Sequence, residues 1–314
     1  MTKHAMPAQT IIGDSAPNQA VQNPWLGLTQ SENFFENDEI AGLMKRGLFY
    51  ARAGVPIHFQ GTAGLGKTSL ALAIAQRLGR KVAVMAGNDW LDIDDMIGKE
   101  VGQSTSSVVD KYIQRVRRSE SYVRYDWGDS ILADAMKHGH TLVYDEFTRS
   151  SAKANSILLS VLEEGVLIST NQVNGRTYLQ AHPDFRIILT SNPHDYTGSN
   201  ATPDALLDRM ITFNLGVYSL ETKTGIVAAR TGLEPDISAR IVRLVHNLQQ
   251  SASAQKEPSC SMRTAILIAR IVAMRLHSAT LSDALLAQIT ADVLNGRGPV
   301  ISTGQIAKQL AAQT

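Results

Sequence analysis

Several absences exclude whole classes of chemistry for this chain. There is one cysteine, Cys260, in 314 residues, so neither an internal disulfide nor a cysteine-based zinc site can form. Cys260 lies in a polar stretch without an activating partner, which indicates an inert thiol. The eight histidines are scattered without an H-E-x-x-H pair, and no G-x-S-x-G nucleophile elbow is present. We therefore expect neither a zinc protease nor an α/β-hydrolase.

Long apolar runs and an excess of charge are also lacking. No apolar stretch approaches the ~20 residues that span a membrane, and the N-terminus lacks the apolar core of a secretory signal. A net charge of +1 disfavours a surface that coats nucleic acid. We expect a cytoplasmic protein without membrane or nucleic-acid partners. Residues 1–30 are rich in Ala, Gln, Asn, Pro and Thr, which predicts a mobile arm.

What the sequence does contain is a phosphate-binding loop of the form G-x-x-x-x-G-K-[ST]. A short apolar strand at 55–60 precedes the loop, and apolar residues at helical spacing follow it up to Gly79. Strand, glycine loop and helix are in the required order, so a nucleotide site is favoured over a glycine-rich turn. The predicted nucleotide-binding residues are Gly61, Thr62, Ala63, Gly64, Leu65, Gly66, Lys67, Thr68 and Ser69.

The chemistry of a nucleotide explains this spacing. Glycines let the chain curl so that several backbone N–H groups face the phosphates, and the following helix adds its N-terminal dipole. Lys67 is expected to reach the β- and γ-phosphates, and Thr68 to bind Mg²⁺ through its hydroxyl.

Two adjacent carboxylates end a second apolar strand, at 141–146. Open α/β sheets bind their ligands at the carboxyl ends of the strands. Asp145 is suited to hold Mg²⁺, and Glu146 to orient the water that attacks ATP. The alternative is a pair of solvated carboxylates, but the phosphate loop upstream favours the catalytic interpretation.

The remaining patterns predict a parallel α/β sheet followed by helices. Apolar strands are expected at 81–86, 185–190 and 210–214, a helix at 151–164 ending at Gly165, and a hairpin around Asn174 and Gly175. In the polar segment 87–127, the charge run is interpreted as a solvated face; its basic residues are Lys111, Arg115, Arg117 and Arg118. The alternative is a surface that faces a partner, which the aromatic residues Tyr112, Tyr122, Tyr125 and Trp127 leave open. From about 219 onward, helical patterns dominate. The predicted domains are the arm 1–30, an α/β nucleotide-binding domain 31–217 and a smaller all-helical lid domain 218–314.

In this order, the motifs resemble those of an AAA+ ATPase over about residues 35–275, and the hairpin resembles the MoxR-type branch. More narrowly, four strings are similar to the gas vesicle protein N family. They are VDKYI (109–113), YDEFTRS (144–150), ANSILLSVLEE (154–164) and HPDFR (182–186).

This resemblance implies further roles and partners. Asn192 would be sensor 1, Arg209 the arginine finger that reaches the next subunit, and Arg263 sensor 2 in the lid; Arg149 is a second candidate for a contact across subunits. Taken without the family, Arg209 and Arg263 would be surface or helix-end arginines. The family further implies ATP and Mg²⁺, a homo-oligomeric and commonly hexameric ring, other gas vesicle proteins as partners, and a location at gas vesicles.

Three functions remain open at this point. The first is an ATP-hydrolysing protein that remodels other proteins during gas vesicle assembly. The second is a MoxR-type ATPase that activates another client, such as a metalloenzyme or rubisco. The third is a nucleotide-binding scaffold of the vesicle shell, which would have no chemical need for Lys67 and Glu146.

Overall fold

A computed structural model describes residues 34–109, 119–173, 176–193, 204–255, 261–276, 281–295 and 302–311. The predicted arm lies outside them. The strands are β1 (Ile57–Gln60), β2 (Val82–Ala86), β3 (Gly98–Val109), β4 (Ser119–Asp129), β5 (Thr141–Asp145), β6 (Val166–Val173), β7 (Arg176–Gln180), β8 (Arg186–Ser191) and β9 (Ile211–Asn214). The α-helices are α1 (Asp38–Arg52), α2 (Lys67–Arg77), α3 (Ile93–Ile97), α4 (Ile131–His138), α5 (Ala152–Asn155), α6 (Leu158–Glu164), α7 (Asp204–Leu207), α8 (Leu220–Thr231), α9 (Pro235–Gln255), α10 (Met262–Leu276), α11 (Asp283–Asn295) and α12 (Thr303–Ala311).

Five strands form a parallel sheet in the order β2-β5-β8-β1-β9, which confirms the predicted α/β class. Strand β1, which lies between the central strand β8 and the outermost strand β9, pairs with both, and Ile57 lies opposite both Ile188 and Ile211. The strands are largely buried on both faces, as expected when helices cover a parallel sheet. All five strands run in the same direction, so their carboxyl ends lie at one edge of the sheet. The phosphate loop follows the carboxyl end of β1 and therefore lies at this edge.

Apolar clusters cover the two faces of the sheet. One contains α1 and α2 with Ile57, Phe59 and Phe213, and the other contains α3 to α6 with Leu142 and Tyr144. Helix α1 begins where the Asn37 side chain accepts a hydrogen bond from the amide of Ile40 (3.2 Å). Its buried residues recur every three or four positions and are Ile40, Met44, Gly47 and Ala51.

The described residues also form two antiparallel hairpins outside the five-stranded sheet. The predicted one pairs β6 with β7, although Asn174 and Gly175 lie outside the described residues. The other pairs β3 with β4 in and just beyond the polar segment 87–127, where the sequence predicted no strands. The interpretation of the charge run as a solvated face stays a prediction. The sequence of β3 is polar at most positions, so it lacks the alternation of apolar and polar residues that marks a strand. The basic residues Lys111, Arg115, Arg117 and Arg118, on which that interpretation rested, lie outside the described residues.

The single helix predicted at 151–164 is two shorter helices, α5 and α6. Between them, the Ser156 hydroxyl donates to the carbonyl of Lys153 (2.7 Å), a local bond that competes with the helical pattern. The predicted stop is confirmed: Gly165 adopts a left-handed conformation with φ of 66°.

Helices α8 to α12 pack around a third apolar cluster, which includes Ile241, Leu244, Ile268 and Leu286. The boundary at 217/218 remains a prediction. The segment before α1 contacts α8: the Asn37 amide donates to Thr222 Oγ1 (2.7 Å), and the ring of Phe35 covers Gly225 so closely that a Cβ there would overlap it. None of the helices in the described part of the chain is long and apolar enough to cross a membrane.

Candidate active site

The predicted phosphate loop connects β1 to α2. Gly64 and Gly66 have φ values of 91° and 75°, a region that side chains other than glycine adopt only at a cost. Lys67 is buried, with 7% of its surface exposed, and its ammonium group donates to the carbonyls of Gly61 (2.8 Å) and Thr62 (3.0 Å). The loop thus places a positive charge inside the concavity that its backbone forms.

Thr68 and Asp145 meet although 77 residues separate them. The Thr68 hydroxyl donates to Asp145 Oδ1 at 2.6 Å. Thr190 on β8 donates to the same oxygen at 2.6 Å, and its own hydroxyl oxygen accepts a hydrogen bond from the amide of Glu146 (2.9 Å). Carboxylate and hydroxyl oxygens are ligands that Mg²⁺ prefers, so Thr68 and Asp145 fit the metal site predicted from sequence.

Glu146 is held in a sharp turn. It is the one non-glycine residue with positive φ (52°) in the described part of the chain, and such local strain is concentrated at functional sites. Gly87, at the end of the neighbouring strand, approaches so closely that a Cβ would overlap the Glu146 carbonyl. The guanidinium of Arg149 pairs with Glu146 Oε2 at 2.8 Å within the same chain, so a contact across subunits by Arg149 remains a prediction.

A network of buried polar side chains fixes the residues before and after this turn. The Tyr144 hydroxyl lies 2.8 Å from Ser150 Oγ and 3.1 Å from Asn155 Oδ1, and burial raises its pKa to about 12. The Asn155 amide donates to the carbonyl of Phe147 (2.9 Å). Residues on both sides of Glu146 are therefore fixed, which restricts where its carboxylate can lie.

Asn192 follows β8 at the same edge of the sheet. It lines a cavity of about 590 Å³ together with Thr62 and Arg263. Below it, the buried ring of His58 bridges Ser191 Oγ (2.8 Å) and Thr212 Oγ1 (3.1 Å), and thereby joins β1 to β8 and β9. Burial lowers the pKa of His58 to about 4, so the ring is neutral at neutral pH.

A second cavity, of about 490 Å³, lies beside the phosphate loop and Glu146 and has two kinds of wall. One end is formed by residues 64–70 of the loop and by Glu146. The other is apolar and comes from the segment before α1, from α1 and from the helical part; it includes Phe34, Phe35, Ile40, Tyr218, Ile226 and Leu267. Anionic phosphates fit the first wall and a flat base fits the second, which adds base-pocket candidates that the motifs did not provide.

Three arginines of the helical part line this cavity. The predicted Arg263 is one, and Arg230 and Arg270 were missed. Arg230 on α8 donates to Ser69 Oγ at 3.0 Å. A signal for Arg270 existed, since it lies seven residues after Arg263 and so on the same face of α10. Thr190 also carried a signal, because it lies two residues before Asn192 at a strand end, whereas nothing in the local sequence singles out Arg230.

Arg209 does not occur among the described residues that line the cavity. It follows α7, where its Nε donates to Glu163 Oε2 (2.8 Å) and its Nη1 to the carbonyl of Ala205 (2.5 Å). The fold therefore gathers every predicted site residue at or beside the nucleotide cavity except Arg209.

Comparisons with known proteins identify the family of the chain. Residues 56–210 match the family described as AAA domain (dynein-related subfamily). The chain is 36% identical to the "Gas vesicle ATPase GvpN" of Ancylobacter aquaticus, over 96% of this chain and 81% of that protein. It is 37% identical to the protein of the same name from Haloferax mediterranei, over 71% of this chain and 65% of that one.

A solved structure shares the fold. The Thermotoga maritima RuvB Holliday junction branch migration motor superposes with a TM-score of 0.52 at 17% identity, over 88% of this chain and 74% of that chain. Fold and site together define a nucleotide-binding AAA+ ATPase. Within that class, the chain belongs to the gas vesicle ATPase GvpN family.

Proposed function

We propose that this chain hydrolyses ATP in a Mg²⁺-dependent reaction and uses the free energy to remodel other proteins during gas vesicle assembly. One observation supports the proposed hydrolysis of ATP: hydrogen bonds link Thr68 through Asp145 and Thr190 to Glu146. They join the phosphate loop and both strand-end carboxylates into one unit. The names of the relatives support the proposed role in gas vesicle assembly and an association with gas vesicles.

Substrate binding would use both walls of the cavity. The phosphates would enter the loop, where backbone N–H groups and Lys67 compensate their charge. The base would lie against the apolar wall, which includes Phe35 and Tyr218. Arg230 and Arg263 come from the helical part, so a bound nucleotide would contact both parts of the chain.

Thr68 and Asp145 would hold Mg²⁺, which neutralises phosphate charge and fixes the phosphate oxygens when bound. Glu146 would orient a water molecule in line with the γ-phosphorus and accept its proton as the new P–O bond forms and the bond to ADP breaks. Arg149 restricts the rotamers of Glu146 through the ion pair. Asn192, at the adjacent strand end, would position the water or the γ-phosphate.

Arg209 would act on a neighbouring subunit. Its side chain is held by Glu163 and lies apart from the lining of its own cavity. A guanidinium remains charged at all physiological pH values and can neutralise the charge on the transferred phosphoryl group. This role requires a homo-oligomer, and we propose the hexameric ring that the family resemblance implies.

The test is phosphate release by the purified protein, with Mg²⁺ and with or without other gas vesicle proteins. Glu146→Gln should bind ATP but lose more than about 100-fold in turnover, because the group that accepts the proton is gone. Glu164→Gln removes the same charge from an exposed position at the end of α6 and is the matched control.

The outcomes separate the three functions. Stimulation by a gas vesicle protein would support the proposal and identify the client. Turnover that no gas vesicle protein stimulates, combined with stimulation by a metalloenzyme or rubisco, would favour the second function. ATP binding without turnover in the wild type would contradict the proposal and favour the scaffold.

A further inference from the structure

A basic surface with an exposed aromatic ring covers the solvent side of α1. This basic face consists of Lys45, Arg46, Phe49 and Arg52: Lys45 and Arg46 each lie three or four residues before Phe49, and Arg52 follows Phe49 by three, so the four side chains share one side of the helix. Phe49 is 68% exposed. A shallow groove of about 790 Å³ runs along these side chains, with Tyr50 also lining it. An exposed ring among cations is typical of a surface that binds a partner.

An acidic surface with an exposed aromatic ring follows β2. This acidic loop consists of Asp89, Trp90, Asp92 and Asp94, at the start of α3. Trp90 is 90% exposed, and tryptophan is the residue type most enriched among interface anchors. Each of the two surfaces therefore combines three charged side chains with one exposed aromatic ring, and their charges have opposite signs.

Neither surface is neutralised within its own chain. Lys45 and Arg52 form no ion pair with any described carboxylate, and Asp89 and Asp94 form none with any described cation. By contrast, an acidic residue just before α1 is already paired, since Glu36 binds Arg77. The charges of the two surfaces are therefore available to another molecule.

The two surfaces lie on opposite faces of the sheet, because α1 belongs to the apolar cluster on one face, whereas Leu91 and Ile93, which alternate with the acidic residues, pack against the cluster on the other. The acidic loop continues from β2, the outermost strand on one side. Helix α1 packs over β1 and β8, and its Arg46 guanidinium lies 5.3 Å from the ring centroid of Phe213 on β9, the outermost strand on the other side. Complementary surfaces on opposite sides of one molecule produce head-to-tail contacts, which close into rings or continue as filaments.

We propose that the basic face of one subunit binds the acidic loop of the next, with Phe49 and Trp90 buried at the contact. The inference rests on the proposed ring and identifies the surfaces that build it. Leu91 and Ile93 of the acidic loop pack against the same apolar cluster that contains Leu206 and Met210, close in sequence to Arg209, whereas α1 belongs to the cluster that contains α2, the helix that follows the phosphate loop. The acidic loop therefore belongs to the layer of the fold that carries Arg209, and the basic face to the layer that carries the phosphate-loop helix.

Charge reversal on each surface tests the proposal. The variants are Lys45→Glu with Arg52→Glu, Asp89→Lys with Asp94→Lys, and all four changes together. Sedimentation velocity with a non-hydrolysable ATP analogue measures self-association. Each double variant should associate at least about tenfold more weakly, and the quadruple variant should recover, because opposite charges face each other again. Arg243→Glu with Lys308→Glu reverses two exposed charges on the helical part and is the matched control.

The remaining outcomes are distinguishable. ATP binding by each variant checks its folding, and Phe49→Ala and Trp90→Ala repeat the test without changing charge. Unchanged association in the reversed variants would overturn the inference but leave the ATPase and its ring intact. A wild type that remains monomeric would overturn both the inference and the ring. Reversal of the basic face that abolishes stimulation by a gas vesicle protein, while self-association persists, would assign that face to an acidic client instead.

Discussion

Thr190 Oγ1 lies 2.6 Å from Asp145 Oδ1, the carboxylate oxygen that Thr68 also contacts. The two residues end neighbouring strands of the sheet, so the bond fixes the carboxylate of Asp145 to a rigid element. Because the same hydroxyl accepts from the amide of Glu146, it also fixes the start of the catalytic turn.

Thr190→Val keeps the shape of the side chain and removes both hydrogen bonds. A hydrogen bond to a charged group contributes about 1.5–3 kcal/mol, so turnover should fall roughly 10- to 100-fold. Steady-state phosphate release measures it. Thr190→Ser retains the hydroxyl and should stay near the wild type; an equal loss in both variants would refute the role of the hydroxyl.

Arg209 can be assigned to a neighbouring site by mixing two inactive proteins. Arg209→Ala removes the finger, and Glu146→Gln removes the base of a different subunit. In mixed rings, some sites combine an intact Glu146 with an intact Arg209 from the next subunit, so activity should return to at least several per cent of the wild type. If Arg209 acted within its own chain, every site would lack one group and the mixture would remain inactive.

Arg230 should contribute to nucleotide binding within its own subunit. It lines the cavity and donates to Ser69 Oγ, so its charge lies beside the phosphate loop. Arg230→Met should raise the Kd for ATP by about tenfold, since one charge-assisted contact is lost. Titration with a fluorescent ATP analogue measures the change. Arg243→Met removes an exposed arginine from α9 and should leave the Kd unchanged.

His58 should make stability depend on pH. Burial lowers its pKa from the ordinary 6.5 to about 4, so below pH 6.5 the unfolded chain binds a proton that the folded protein excludes. The contribution of neutral His58 to the free energy of unfolding is therefore complete above pH 6.5, and it is lost as the pH falls towards 4. Between pH 7.5 and pH 5 the loss is about 2 kcal/mol.

Urea unfolding at both pH values measures this difference. His58→Gln should reduce it by about that amount, because glutamine does not titrate. His246→Gln removes a histidine from α9 and provides the control. An unchanged pH dependence in His58→Gln would show that other groups cause it.

Motifs that lie within one stretch of sequence were predictable. The phosphate loop, the Asp145–Glu146 pair and the strands that carry them follow from local spacing, and the structure brings them together. The parallel sheet was also predictable, because strands alternate with helices along the chain.

Contacts between distant segments were not predictable in the same way. Arg230 meets Ser69 across 161 positions, and no local pattern separates it from any other arginine near a helix end. His58 lay inside a strand read only as apolar, and its buried role becomes evident once β8 and β9 flank it. The hairpin of β3 and β4 was missed because its sequence is too polar to show the alternation of apolar and polar residues that predicts a strand.

Helix α8 is held at two places by different parts of the chain. Thr222 near its start is bound by Asn37, and Arg230 near its end reaches the phosphate loop. These residues are eight positions apart, or about 12 Å along the helix axis. If the nucleotide cycle displaced Arg230, α8 would therefore rotate about Thr222. This rotation would displace the helices that pack against α8.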